Sequence, residues 1–380
     1  NTLKELGRID EAETSLRQAI ALKPDYAEAH NNLGGTLQKI GRLDEAQASL
    51  AQAIALRPDF ADAHYNLGNT LKELGRIDEA ETSLRQAIAL KPDYAEAHSN
   101  LGGTLQERGR LNEAEASYTQ AIALKPDYPE VHYNLGNTLK ELGRLDEAEA
   151  SYTQAIAFKP DYAQAHSNLG GTLQELGRID EAKTSYTQAI AFKPDFAEAH
   201  YNLGNTLQEL GRLDEAEASY TQAIAFKPDY AEAHYNLGTT LKELGRFDEA
   251  LASYTQAIAF KPDFVDAHSN LGTMLQELGR FDEAEESLRQ VIALNPEDFK
   301  THNNLLMCLF LQDKKPVFFD ELDYLINQDK ASATIGSLTC RSALKYGWEK
   351  PNLFCTKPLN YVIHNDLNTR YDFEKIFVEK

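Results

Sequence analysis

The chain has 380 residues, 42% of them hydrophobic, and no run of 18 apolar residues, so it reads as a soluble folded protein with no transmembrane helix. Its 59 acidic and 38 basic residues give a net charge of −21, which disfavours nucleic acid and anionic membranes and favours basic partners. Three cysteines, Cys308, Cys340 and Cys355, with no CxxC pairing, suit neither a disulfide framework nor a zinc site; the expected compartment is a reducing cytoplasm.

Residues 1–26 match the last 26 positions of a 34-residue unit. Eight full units follow over 27–298, beginning at 27, 61, 95, 129, 163, 197, 231 and 265. A second period lies on the first: residues 1–30 are identical to 69–98, two units apart, and HYNLGNTLK tends to alternate with HSNLGGTLQ. Repetition at this period marks a stack of identical supersecondary units, none of which buries its apolar face alone.

Each unit encodes two helices. The first is expected to start at the Asp of the Pro-Asp-Tyr/Phe turn, as at Asp59, with Asp62 completing a variant capping box (Glu28 and Glu96 elsewhere). Ala63, Leu67, Leu71 and Leu74 then fall at helical spacing, and Gly75 supplies the left-handed residue that ends the helix. The second helix is expected to open at Asp78, to carry Ala80, Leu84, Ala87, Ile88 and Leu90, and to stop before Pro92. Gly68, retained inside a helix at a cost of roughly 1 kcal/mol against alanine, marks a close approach between helices. In later units Tyr152 and Phe158 replace Leu50 and Leu56, which reads as one repacked contact.

These positions carry a resemblance. His64, Leu67, Gly68, Leu71, Ala80, Leu84, Ala87 and Pro92 match the signature of the tetratricopeptide repeat family over about 300 residues, with histidine where that family often has tryptophan or tyrosine. The resemblance implies an all-α, right-handed α-solenoid, with first helices on its concave face, second helices on its outer wall, and a role in binding proteins or peptides.

On the implied concave face, one asparagine recurs before each Leu-Gly: Asn32, Asn66, Asn100, Asn134, Asn168, Asn202, Asn236, Asn270 and Asn304. An amide offers donor and acceptor together, and suits the backbone of any peptide. Stacked helices lie about 8–10 Å apart and an extended strand rises about 3.3 Å per residue, so one asparagine meets about every third ligand residue. An equally weighted alternative is that these amides bond between neighbouring helices and stiffen the stack. Tyr65, Tyr133, Tyr201 and Tyr235 lie beside them, as do Asn69, Asn137 and Asn205. The arrangement resembles the asparagine ladder of O-linked N-acetylglucosamine transferases. The carboxylate clamp of chaperone-binding relatives is disfavoured by Glu28, Asp62, Glu96, Glu130, Gln164, Glu198, Glu232 and Asp266 near the starts of the first helices. The expected ligand is an extended, neutral to basic segment, with chaperone tails disfavoured.

A degenerate unit and a capping helix are expected over 299–330, where Leu306 replaces the glycine and Phe318, Phe319, Leu322, Leu325 and Ile326 form an amphipathic stretch. Beyond 331 the repeat is gone and Trp348 appears. This tail, through Arg341-Ser-Ala-Leu-Lys-Tyr-Gly, Lys350-Pro-Asn-Leu-Phe-Cys and Tyr371-Asp-Phe-Glu-Lys-Ile-Phe-Val, resembles the lead-in to a 2-oxoglutarate/Fe(II) oxygenase domain of marine cyanobacterial repeat proteins. The resemblance implies a piece of a longer protein, and a second reading as the substrate-recruiting arm of an enzyme whose catalytic part is absent. His364-Asn365-Asp366 spells two-thirds of an iron triad, but no histidine follows it, so no metal, cofactor or catalytic residue is expected in this chain. The other nine histidines share one repeat position, which is a packing role.

Overall fold

The computed structural model describes residues 9–328 and 333–347, all helices and turns with no strand among them. After α1 (Ile9–Leu22), first and second helices alternate: α2 (Ala27–Lys39) and α3 (Leu43–Leu56), α4 (Ala61–Glu73) and α5 (Ile77–Leu90), α6 (Ala95–Glu107) and α7 (Leu111–Leu124). Next come α8 (Pro129–Glu141) and α9 (Leu145–Phe158), α10 (Ala163–Glu175) and α11 (Ile179–Phe192), α12 (Ala197–Glu209) and α13 (Leu213–Phe226). The order closes with α14 (Ala231–Glu243) and α15 (Phe247–Phe260), α16 (Val265–Glu277) and α17 (Phe281–Leu294), then α18 (Phe299–Leu311), α19 (Lys315–Asn327) and α20 (Ala333–Tyr346). The chain forms two compact units, Asn1–Thr206 and Leu207–Lys380, divided within α12.

In each unit consecutive helices pack on one another, as α4 does on α5 and α5 on α6, or α14 on α15 and α15 on α16. Small residues make this possible. Ala80 and Ala87 are fully buried, and a Cβ placed on Gly68 would lie 2.7 Å from Leu84 Cγ. From α7 to α15 the buried leucine becomes tyrosine, and in α17 it is Leu288 again: a Cβ on Gly136 would lie 2.7 Å from Tyr152 Cε1. Gly143, at φ 74°, turns the chain between α8 and α9 in the left-handed conformation that a β-carbon disfavours.

Two local expectations are overturned. The first helices do not start on a capping aspartate. Phe60 occupies the N-cap of α4 and Arg76 that of α5, neither with a side-chain cap. Asp59 sits one position too early, in a turn closed by Phe60 N–H donating to the Arg57 carbonyl at 3.1 Å. The exception shows the reason: Pro296-Glu297-Asp298 brings an aspartate onto the cap position, and Asp298 there accepts from the backbone N–H groups of Lys300 and Thr301. Nor do Tyr152 and Phe158 share one contact. Tyr152 is buried beneath Gly136, whereas Phe158 is 45% exposed and stacks on His132 with centroids 5.5 Å apart. The two substitutions also come apart in the sequence, where Tyr118 accompanies Leu124.

The recurrent histidines do pack. In His64 and His132, for example, Nε2 donates to the carbonyl of Pro58 (3.0 Å) and Pro126 (2.9 Å), tying the first helix to the turn before it. Arginines after the turn glycines tie neighbouring second helices together: Arg144 pairs with Glu147 on α9 and with Glu115 on α7 at 2.7 Å.

At the end of the array Leu306 is fully buried where regular units have glycine, and Asp313, at φ 60°, stands at the left-handed turn. Phe318, Phe319, Leu322 and Leu325 of α19 are buried in the same cluster, with Ile326 against it. Helix α20 packs on α18 and α19, beyond the point where the repeat pattern ends.

Candidate functional site

Within the first compact unit, the first helices α2, α4, α6, α8 and α10 touch one another in succession, and α16 touches α18 in the second; the second helices approach one another less closely. In the first unit the first helices therefore present a continuous face. All nine ladder asparagines are half-buried, as are Tyr65, Tyr133, Tyr201, Tyr235, Asn69, Asn137 and Asn205.

The asparagines differ in what they touch. Asn168 on α10 donates through Nδ2 to Asn137 Oδ1 (2.8 Å) and to Tyr133 Oη (3.1 Å), both on α8. Asn100 on α6 repeats this on α4, with Asn69 Oδ1 at 2.7 Å and Tyr65 Oη at 3.2 Å. Asn270 donates to Tyr235 Oη at 3.0 Å, Thr239 standing where the other pairs have an asparagine. Asn66 donates to Asn31 Oδ1 at 2.9 Å. Among the described residues Asn32, Asn134, Asn202 and Asn304 have no side-chain hydrogen bond, while Asn236, Tyr201 and Asn205 have partners.

The cause is one unit upstream. A HYNLGN helix offers tyrosine and asparagine to the asparagine of the next helix. A HSNLGG helix offers Ser99 and Gly103, or Ser167 and Gly171, which reach nothing on Asn134 or Asn202. Some ladder amides thus latch neighbouring helices, and among the described residues Asn134 and Asn202 make no such bond.

The latch also fixes which amide edge is left over. Asn168 spends Nδ2 on α8 and keeps its Oδ1 as an acceptor. Asn137 Oδ1 already accepts from Asn168 and from Tyr152 Oη (2.8 Å), so its Nδ2 remains a donor. Burial pushes the Tyr152 phenol well above its ordinary range and keeps it a donor. Tyr133 leans on Tyr162, centroids 5.0 Å apart, whose own phenol burial pushes up to about 12.

Charged groups that the sequence reading left out share this face. A cavity of about 400 Å³ opens beside the latch, lined by Gln106, Asn137, Lys140, Glu141, Tyr152, Asn168 and Glu175. Lys140 pairs with Glu175 at 2.9 Å, and Glu141 accepts from Gln106 Nε2 at 2.7 Å. The sequence signal for these residues is the alternation of TLKE with TLQE, which follows the tyrosine-bearing helices except in α12, where Tyr201 and Asn205 precede TLQE.

No group of three or more His, Cys, Asp or Glu able to hold a metal occurs among the described residues. No described helix is long and apolar enough to cross a membrane. His364 and Asp366, Cys355, Trp348 and most of the tail resemblance lie outside the described residues.

Three family profiles match the chain: the Cilia and flagella-associated protein 70 C-terminal domain, a tetratricopeptide-type profile, over 127–324; a TPR repeat over 1–41 and 104–143; and a tetratricopeptide repeat over 41–101 and 75–118. Among curated proteins none is a significant match. Of solved structures, YrrB, described as a TPR protein with an unusual peptide-binding site, is 23% identical and is covered over 95% of its length by 48% of this chain, with a TM-score of 0.43. MamA is 26% identical, with 97% of it and 44% of this chain covered and a TM-score of 0.41. PilF of Pseudomonas aeruginosa is 20% identical, with 92% and 53% covered and a TM-score of 0.49.

Proposed function

The chain belongs to the tetratricopeptide repeat family, and on that footing we propose that it is a protein-interaction scaffold that takes extended, neutral to basic protein segments along its first helices. The observation that carries this is the row of half-buried amides on successive first helices, of which Asn100 and Asn168 spend only the Nδ2 edge on a neighbouring helix. Such an edge meets a peptide backbone whatever its side chains are. Tyr65, Tyr133, Tyr201 and Tyr235 add contact area at little entropic cost. The net charge of −21 sets the preference for basic segments and against nucleic acid. The sparse cysteines, without CxxC spacing, suit such a scaffold in a reducing cytoplasm.

The test replaces Asn134, Asn168 and Asn202 together by alanine and measures binding of captured partner segments by titration calorimetry. Loss of binding with the helical circular dichroism retained supports the groove. Unchanged binding places the site elsewhere. The second reading, a recruiting arm for an oxygenase or, on weaker grounds, a glycosyltransferase, rests on the tail and ladder resemblances. Sequencing the reading frame past Lys380 tests it: a further domain with HxD and a distant histidine supports the oxygenase form.

A further inference from the structure

Resting on that reading, we infer that the face of the first compact unit has a principal anchor: the latched pair Asn137 and Asn168 grips one residue of an extended segment by its backbone, and the adjoining cavity takes a basic side chain. Three observations meet here. First, the latch leaves one acceptor, Asn168 Oδ1, and one donor, Asn137 Nδ2, on amides whose rotation is arrested by the bond they share and by Tyr133 and Tyr152. In an extended strand the N–H and C=O of one residue point to the same side, so one residue satisfies both. Arrested amides lose no rotational freedom on binding, which the open amides of Asn134 and Asn202 must lose.

Second, the cavity beside the latch holds about 400 Å³, room for one long side chain. Third, its charge is unbalanced. Lys140 is matched by Glu175, but Glu141 faces only the neutral amide of Gln106, so one carboxylate is left for a cation. Within the first compact unit the other latch is less complete: beside Asn69 and Asn100, Leu84 stands where Tyr152 does.

The probe is a phage-displayed library of random 15-residue peptides, selected in parallel on the full chain and on two variants. One variant carries Glu141→Gln with Glu175→Gln. The other carries Asn137→Thr, which copies Thr239 and can keep a hydroxyl contact to the tyrosine, as Thr239 does to Tyr254 at 3.2 Å. The unchanged chain should enrich peptides with Lys or Arg at one fixed position. The double glutamine variant should still enrich peptides but lose that preference, and Asn137→Thr should weaken the selected peptides about tenfold. The same Lys or Arg preference on the glutamine variant, or undiminished affinity on Asn137→Thr, overturns the anchor while leaving the groove standing. Enrichment on none of the three chains overturns both.

Discussion

Replacing the same repeat asparagine by alanine should stabilise one unit and destabilise the next. Asn168 makes two hydrogen bonds to α8, at 2.8 and 3.1 Å, and Asn134 makes none to any described side chain. Each half-buried bond contributes about 1 kcal/mol net. Alanine is the better helix former by up to ~0.7 kcal/mol. Asn168→Ala should therefore lose about 1.3 kcal/mol, and Asn134→Ala should gain up to ~0.7 kcal/mol. Global unfolding of a repeat array is a poor readout, because neighbouring units unfold with local cooperativity. Hydrogen exchange read by mass spectrometry on peptides covering α8 and α10 resolves the two sites. Exchange in α10 should quicken roughly tenfold in Asn168→Ala, and exchange in α8 should slow by up to roughly threefold in Asn134→Ala. Equal destabilisation at both sites would refute the latch, since it would mean that the amide serves its own helix everywhere. Slower exchange at both would mean that the inter-helix bonds contribute nothing.

Other outcomes follow from the same contacts. Gly136→Ala places a Cβ 2.7 Å from the buried ring of Tyr152, and overpacking of about 1–3 kcal/mol outweighs a helix gain of ~1 kcal/mol, so the melting temperature should fall. Gly171→Ala meets only Lys140 Nζ at 3.3 Å and Tyr186 Oη at 3.4 Å, and should raise it. Hydrogen bonds from Arg144, Arg178 and Arg246 hold the carboxyls of Glu147, Glu181 and Glu249 below their ordinary 4.5. Groups depressed in the folded state stabilise it above the unfolded value and lose that as pH falls through the folded one. The melting temperature should thus be level above about pH 6 and fall below pH 4.5; a level profile down to pH 3 would remove these pairs from the account. Cys308 is fully buried and its thiol is pushed up to about 11, so iodoacetamide at pH 7.5 should leave it unlabelled until the chain unfolds.

Much of the fold is legible because its signals are local and repeated. The 34-residue period, Gly75 at the turn and Gly68 at the close approach each report a constraint inside one hairpin. The capping aspartates mislead because Pro-Asp-Tyr/Phe puts the acid one residue before the helix entry, a shift that composition does not register and that only the Asp298 turn corrects. The candidate site is legible in its residues but not in its division. Nine identical asparagines invite one role, whereas the role of each depends on the residues 31 and 35 positions earlier: Asn137 and Tyr133 for Asn168, Gly171 and Ser167 for Asn202. The two-unit period already held that information, but only the packing of neighbouring first helices says which residues it couples.

That coupling can be transplanted. Gly171→Asn should give Asn202 the acceptor that Asn137 gives Asn168. A Cβ at residue 171 meets only the Tyr186 hydroxyl and the Lys140 ammonium, and that hydroxyl can donate to the new amide as Tyr152 does to Asn137. One added hydrogen bond, with relief of a helical glycine, should stabilise the chain by about 1 kcal/mol. The sharper consequence is a change of sign. In the unaltered chain Asn202→Ala should slow exchange in the residues of α12 up to Thr206, for the reason given for Asn134. In the Gly171→Asn background the same substitution should quicken it, because it now breaks a bond. If Asn202→Ala keeps its sign in both backgrounds, the upstream residue does not decide the role of the ladder asparagines, and the two-unit alternation is duplication history alone.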